Sequence, residues 1–418
     1  MNPRDSAAAS LFLFFALCAT SGAADQWAYI WQQVWTPAVS DAVRESRPLV
    51  DGFMVLAADV SFDQEPAAVQ IPSTDWQLLS SMDVPVIAVV RLGSEFIHHV
   101  QADADKALAW LDGVGAEACA PARASGAVLQ GLQFDFDCPT EHLDAYAKLL
   151  SAFRKSHPDT NLSITTLPDW LGRRDFDALL RSVDSYVLQA HGLERPRHVS
   201  DPMVLCDPEE ALQWIHRASR HQVPFQVALP TYGYRMFFHA DGAFAGLSAE
   251  GAPAKRIGAI DRELRSDPVV ISALAAALRK EPPGYLKGIT WFRLPVDDDT
   301  LNWNLPTWKR VLQGEPVAHQ LAVQLEWPQP RLIEIYLNNG GETRPGGNCR
   351  FEVHADWSAV AAYDTHNGFH MVPRADGTAA IFEGSSPLPG ERKLAAWLRF
   401  THDVDTDAIY TGEVDYLP

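Results

Sequence analysis

The sequence predicts an α/β chain, a (β/α)8 barrel followed by a small antiparallel, β-sandwich-like domain. Three observations predict it. The 418 residues exceed one ordinary domain and accommodate a barrel of about 250 residues plus a unit of about 100. Short β-rich runs alternate with helical stretches through most of the chain, as parallel strands joined by crossover helices require. Past residue 312 the alternation stops, and short strand-like runs are separated by turns such as Asn339-Gly340-Gly341 and Asp376-Gly377.

The barrel strands are expected at 27–32, 52–57, 85–92, 128–137, 161–166, 184–190, 224–229 and 288–294. Helical periodicity marks 141–156, 207–220 and 270–280 between them. Eight such units close into a TIM barrel rather than an open sheet. A longer interruption at 234–260, rich in Gly, Ala and aromatics, follows the seventh strand. It reads either as a wall or lid over the barrel mouth or as a surface loop. Beyond the barrel, strands are expected at 321–325, 333–337, 350–355, 379–382, 394–400 and 413–416, with a helix only near 356–363. The predicted units are therefore a barrel at 25–314 and a β-rich C-terminal domain at 315–418.

The N-terminus reads as a signal peptide over 1–24. Arg4 precedes an apolar run at 7–19, and the small residues Ser21, Gly22, Ala23 and Ala24 follow it. The run is too short for a comfortable transmembrane helix, and Leu17 before Cys18 does not fit a lipoprotein signal. The expectation is a periplasmic or secreted protein with no stable membrane insertion after cleavage. Cys119, Cys138, Cys206 and Cys349 would remain. Cys138–Cys206 is the favoured pair, since both belong to loops at one end of the barrel. Four free buried thiols are the equal alternative.

Composition narrows the ligand. With 47% hydrophobic and 21% charged residues the chain is globular. A net charge of −19 argues against nucleic acid, whose binding needs a basic face, and against anionic membranes. A neutral ligand fits more easily, and 13 Trp residues modestly favour a sugar. The cysteine spacing matches no zinc template, and no metal or cofactor is expected. The run Asp297-Asp298-Asp299 is a solvated acidic loop before it is a cation site.

The segment carrying most chemistry is 130–139, QGLQFDFDCP. On a strand, Leu132, Phe134 and Phe136 would meet the outer helices, while Gln133, Asp135 and Asp137 would point into the barrel. Barrel interiors are packed with branched apolar side chains, so inward acids are costly unless they reach the open mouth. Two carboxylates about 7 Å apart on one face should push their pKa values apart, as acid/base work requires. The blander readings are that Asp137 caps the helix starting near Thr140, or that both acids pair with Arg91 and Arg293. Other inward candidates are Tyr29, Trp31, Arg91 and Arg293. The two arginines would bind a charged sugar substituent or compensate the acids.

This segment resembles the fourth-strand motif D-G-x-D-x-D-x-E of the family 18 glycoside hydrolases, the chitinase-like barrels. Gly131 matches the motif glycine, Asp135 its last aspartate and Asp137 its catalytic glutamate. Gln130 and Gln133 stand where the family has aspartates, and Asp137 is one methylene, about 1.5 Å, shorter. The stretch VALPTYGYR at 227–235 is similar to the seventh-strand motif and places Tyr232 at the mouth. GITWFRLPVDD at 288–298 is similar to the eighth strand, with Trp291 as the floor of the central sugar subsite. VDSYVLQAHG resembles the sixth strand, with Gln189 and His191 replacing Met and Tyr.

The resemblance implies that the substrate's own N-acetyl group attacks the anomeric carbon. Asp137 would then protonate the leaving oxygen, Asp135 would orient the acetamido group, and Tyr232 and Trp291 would hold the sugar. The chain, including PLPGERKLAAWLRF and TGEVDYLP, also resembles a bacterial family known as domain of unknown function 3142. Three functions follow as expectations. They are a glycoside hydrolase on an N-acetylated or substituted glycan, a non-catalytic barrel binding a glycan or oligosaccharide, and a scaffold in an exported polysaccharide system.

Overall fold

The computed structural model describes residues 24–62, 67–192, 195–248, 259–341, 343 and 348–417. The predicted signal peptide lies outside the described residues, apart from its last position.

Eight parallel strands form the barrel: β1 (Asp25–Ile30), β2 (Gly52–Ser61), β3 (Pro85–Leu92), β4 (Val128–Phe136), β5 (Leu162–Thr166), β6 (Ser185–Gln189), β7 (Phe225–Pro230) and β8 (Leu286–Phe292). Each pairs in parallel with the next, and β8 closes onto β1 in a register that sets Trp27 against Thr290. The helices α1 (Pro37–Ser46), α2 (Trp76–Ser81), α3 (Ala104–Ser125), α4 (Leu143–Ser156), α5 (Arg174–Leu180), α6 (Pro208–Ala218), α7 (Pro268–Lys280) and α8 (Leu305–Gln313) follow the strands in turn.

Local sequence explains where many helices begin. Thr36, Asp207 and Asp267 cap α1, α6 and α7 by accepting backbone N–H groups, and each precedes a proline at the first helical position. Gly126 and Gly314 end α3 and α8 with φ of 77° and 72°, a left-handed conformation that glycine adopts freely.

The strands alternate as their period demands. Leu132, Phe134 and Phe136 join the apolar layer between barrel and helices, where Phe134 meets Phe153 and Phe136 meets Tyr146, both of α4, edge to face. Inside, Trp27, Tyr29, Met54, Val89, Val187 and Ala228 form a separate apolar plug. A polar layer shares the interior with this plug. The Tyr29 hydroxyl donates to Gln133 Oε1 at 2.6 Å, Gln133 Nε2 donates to Ser163 Oγ at 3.2 Å, and Thr290 donates to Gln226.

The interruption after β7 is an antiparallel sheet of Gly233–Phe238, Phe244–Ser248 and Ile260–Arg265, with the first strand central. Residues 249–258 of it lie outside the described set. A short strand, Ala68–Gln70, also pairs with the end of β2.

The C-terminal strands are β9 (Leu321–Gln329), β10 (Leu332–Asn339), β11 (Asn348–His354), β12 (Val360–Thr365), β13 (His370–Pro373), β14 (Ala379–Ser385) and β15 (Arg392–Phe400). One antiparallel sheet runs β9-β10-β15-β12 and the other contains β13-β14-β11. They share a core that includes Ile335, Leu337, Phe351, Phe382 and Leu398. The helix expected near 356–363 is a single turn, Trp357–Ala359, running into β12. Its small residues suggest a helix, but pairing to β15 decides its conformation.

The favoured disulfide does not form. None of the four described cysteines is in a disulfide; Cys138 Sγ is directed at the Pro139 carbonyl and Cys206 Sγ at the Ala190 carbonyl.

Candidate active site

Barrel strands carry their inward side chains to the mouth only at their C-terminal ends. There the structure has a cavity of about 610 Å³, within the range of small-ligand sites. Asp135 and Asp137 line it, and their blander readings fail. Among the described residues neither forms an ion pair. Arg91 Nη1 instead lies 3.2 Å from both oxygens of Asp59, and Arg293 pairs with Asp299. Asp137 caps no helix either: the turns that follow begin after Pro139 and His142, and Gln189 Nε2 donates to Asp137 Oδ1 at 3.2 Å.

Asp135 sits deeper, and Thr165 Oγ1 donates to it at 2.6 Å. Loss of water pushes its pKa up to about 7, and the neighbouring charge of Asp137 adds to this. Thr165 and Arg91 oppose the shift. Asp137 stands at the rim, where solvent touches it although protein surrounds it on most sides. Its pKa is also raised, by that partial desolvation, against the Gln189 hydrogen bond and Arg91. Each carboxyl therefore keeps its proton to a higher pH than a free carboxylate does, and Asp137 is the one more accessible to a bound molecule.

The family model for the domain of unknown function DUF3142 matches residues 83–297, over half of the chain. The chain belongs to this family. The matched stretch of the DUF3142 barrel runs from the start of β3 past β8 and contains both Asp135 and Asp137. No curated protein matches the chain. Among solved structures, it is similar to the spore cortex-lytic enzyme SleL of Bacillus megaterium QM B1551, with 12% identity, a TM-score of 0.47 and coverage of 71% of this chain and 75% of that one. A chitinase of Chromobacterium violaceum ATCC 12472 gives 12%, 0.49, 70% and 98%. A GH18 chitinase from Cycas revoluta in complex with (GlcNAc)3 gives 12%, 0.43, 69% and 97%.

Aromatic side chains wall the DUF3142 cavity. Trp31, Tyr29 and Phe292 form an edge-to-face cluster with ring centroids 5.1–5.6 Å apart. His191 stacks on Phe292 at 5.5 Å. Tyr232 lies in the link after β7, and Tyr234 and Ser248 come from the sheet that follows, which makes that sheet a wall of the site. Burial lowers the His191 pKa to about 4, so its ring is neutral near pH 7. Its Nδ1 lies 3.3 Å from the Tyr232 hydroxyl, and its buried Nε2 has no hydrogen-bond partner among the described residues.

The structure brings together Tyr29, Trp31, Arg91, Asp135, Asp137, Gln189, His191, Tyr232 and Arg293, all at the cavity. Two expected ligand residues are not there. Trp291 is fully buried on the outer face of β8, where its Nε1 donates to Gln26 and its ring packs on Trp303. The strand's alternation turns Thr290 and Phe292 inward, so Phe292 occupies the place assigned to it. Gln133 is also fully buried, and Tyr29 and Ser163 engage its amide away from the cavity lining.

Asp59, Thr165, Tyr234 and Phe292 were not anticipated. Asp59 was missed because β2 continues to Ser61, four residues past its expected end. Thr165 was legible: it alternates with Ser163 on β5, beside β4. A potential cation site at Asp297–Asp299 is not supported, because Asp299 is engaged by Arg293 and by the Leu301 N–H. Among the described residues no group of three or more His, Cys, Asp or Glu could hold a metal ion, and no helix is long and apolar enough to cross a membrane.

Proposed function

We propose that the barrel mouth binds an N-acetylated or otherwise substituted oligosaccharide and hydrolyses a glycosidic bond in it, in the periplasm or outside the cell. One observation carries this reading: two carboxylates with raised pKa values stand without arginine partners in an aromatic-walled bowl. Trp31 and Phe292 supply apolar surface for sugar faces, and the polar groups that also line the cavity supply hydrogen bonds.

Asp137 is the acid. Its proton passes to the glycosidic oxygen as the bond to the anomeric carbon breaks. The carbonyl oxygen of the neighbouring acetamido group bonds to that carbon, and Asp135 orients the group. Water then attacks the anomeric carbon, the acetamido oxygen leaves, and the water's proton returns to Asp137. Activity should fall as pH rises through the raised pKa of Asp137, where the acid loses its proton.

The test is reducing-end release from N-acetylated oligosaccharides by the whole chain, beside Asp137→Asn. The substitution should lower turnover by at least about 100-fold and leave affinity within about threefold. Binding without any release by the unaltered chain would reject hydrolysis and leave a glycan-binding barrel.

A further inference from the structure

The mouth cavity has a neighbour. A second, polar cavity of about 310 Å³ lies over the ends of β2 and β3. Asp59 and Arg91 line both cavities, so the two abut across this one ion pair. Ser61, Gln70, Ser94 and Glu95 supply its polar walls. The short strand Ala68–Gln70, paired with the end of β2, builds its outer side.

Arg91 is held in place through Nη1 by Asp59, which also accepts from Gln33 Nε2 at 2.6 Å. The rest of its guanidinium stands half exposed at the junction. A planar group with several N–H donors, fixed by a carboxylate, suits sugar hydroxyls and ring oxygens passing over it.

We infer that the ligand site continues across the Asp59–Arg91 pair into this second cavity, so that the protein binds a glycan chain along its length rather than by one terminal unit. The inference rests on the glycan reading of the mouth. It adds that the ligand is polymeric and that the groups beyond Arg91 recognise its hydroxyl-rich continuation.

The experiment is calorimetric titration of the whole chain carrying Asp137→Asn, which prevents turnover, with chitobiose and with chitohexaose. The hexamer should bind roughly tenfold tighter or more. Ser94→Trp, at an exposed position, should fill the second cavity and bring the hexamer down to the dimer's affinity without changing the dimer's. Gln70→Ala, also exposed, should weaken only the hexamer. Equal affinities for the two probes, or a hexamer indifferent to both substitutions, overturns the extension while leaving the mouth as a glycan site. Binding of neither probe removes the glycan reading itself and this inference with it.

Discussion

Asp135 shows how one residue ties the site to the stability of the fold. Its carboxyl ionises near pH 4 in an unfolded chain but at about 7 in the barrel. Between those values the folded state holds the extra proton, so stability falls as pH rises through this window and stays lower above it. Asp135→Asn keeps an oxygen for the Thr165 hydroxyl and removes the charge. It should therefore stabilise the protein at pH 8, by on the order of 3 kcal/mol, and change little at pH 4. Urea unfolding at the two pH values measures this, and an equal effect at both would show that Asp135 does not carry the raised pKa. Asp137, nearer the rim, should show the same trend with smaller amplitude.

At the scale of elements, β4 was legible and β8 was not, for one physical reason. In FDFD the two faces differ in chemistry, so period-two alternation assigns them without further information. In ITWF both faces carry an aromatic residue, and only the register against β1 and β7 decides which enters the bowl. Paired substitutions separate the two. Trp291→Ala should cost about 3–5 kcal/mol of stability, as large core truncations do, while the remaining folded protein keeps its affinity for oligosaccharide. Phe292→Ala should lower affinity at least about tenfold with a smaller stability loss, because Phe292 is only partly buried. Unfolding curves and titrations of the same two variants check both halves.

For the whole molecule, the eightfold alternation made the barrel readable, and the turn-rich tail made the C-terminal sheets readable. What stayed hidden was long-range. The pairing that makes 360–365 a strand, the run of β2 to Asp59 and the reduced state of the cysteines all depend on partners far along the chain. Since none of the four described cysteines is in a disulfide, neither barrel nor sheets rely on a covalent staple among them. Denatured in urea without reductant, the chain should react with a thiol reagent at Cys119, Cys138, Cys206 and Cys349, and a reducing agent should leave its melting temperature unchanged. Mass spectrometry of the labelled protein and paired melting curves read the two outcomes. A shift on reduction would mean that the thiols pair in solution.

The hydrogen-bonded layer of Tyr29, Gln133 and Ser163 inside the barrel constrains how such a protein can diversify. A hydrocarbon floor can be raised or lowered by trading one methyl group for another, each step tolerable alone. A floor held by matched donors and acceptors resists that route, because changing one member strands the others. Relatives that accept differently shaped ligands should therefore keep this layer intact and vary the loops above it, or replace all three residues together.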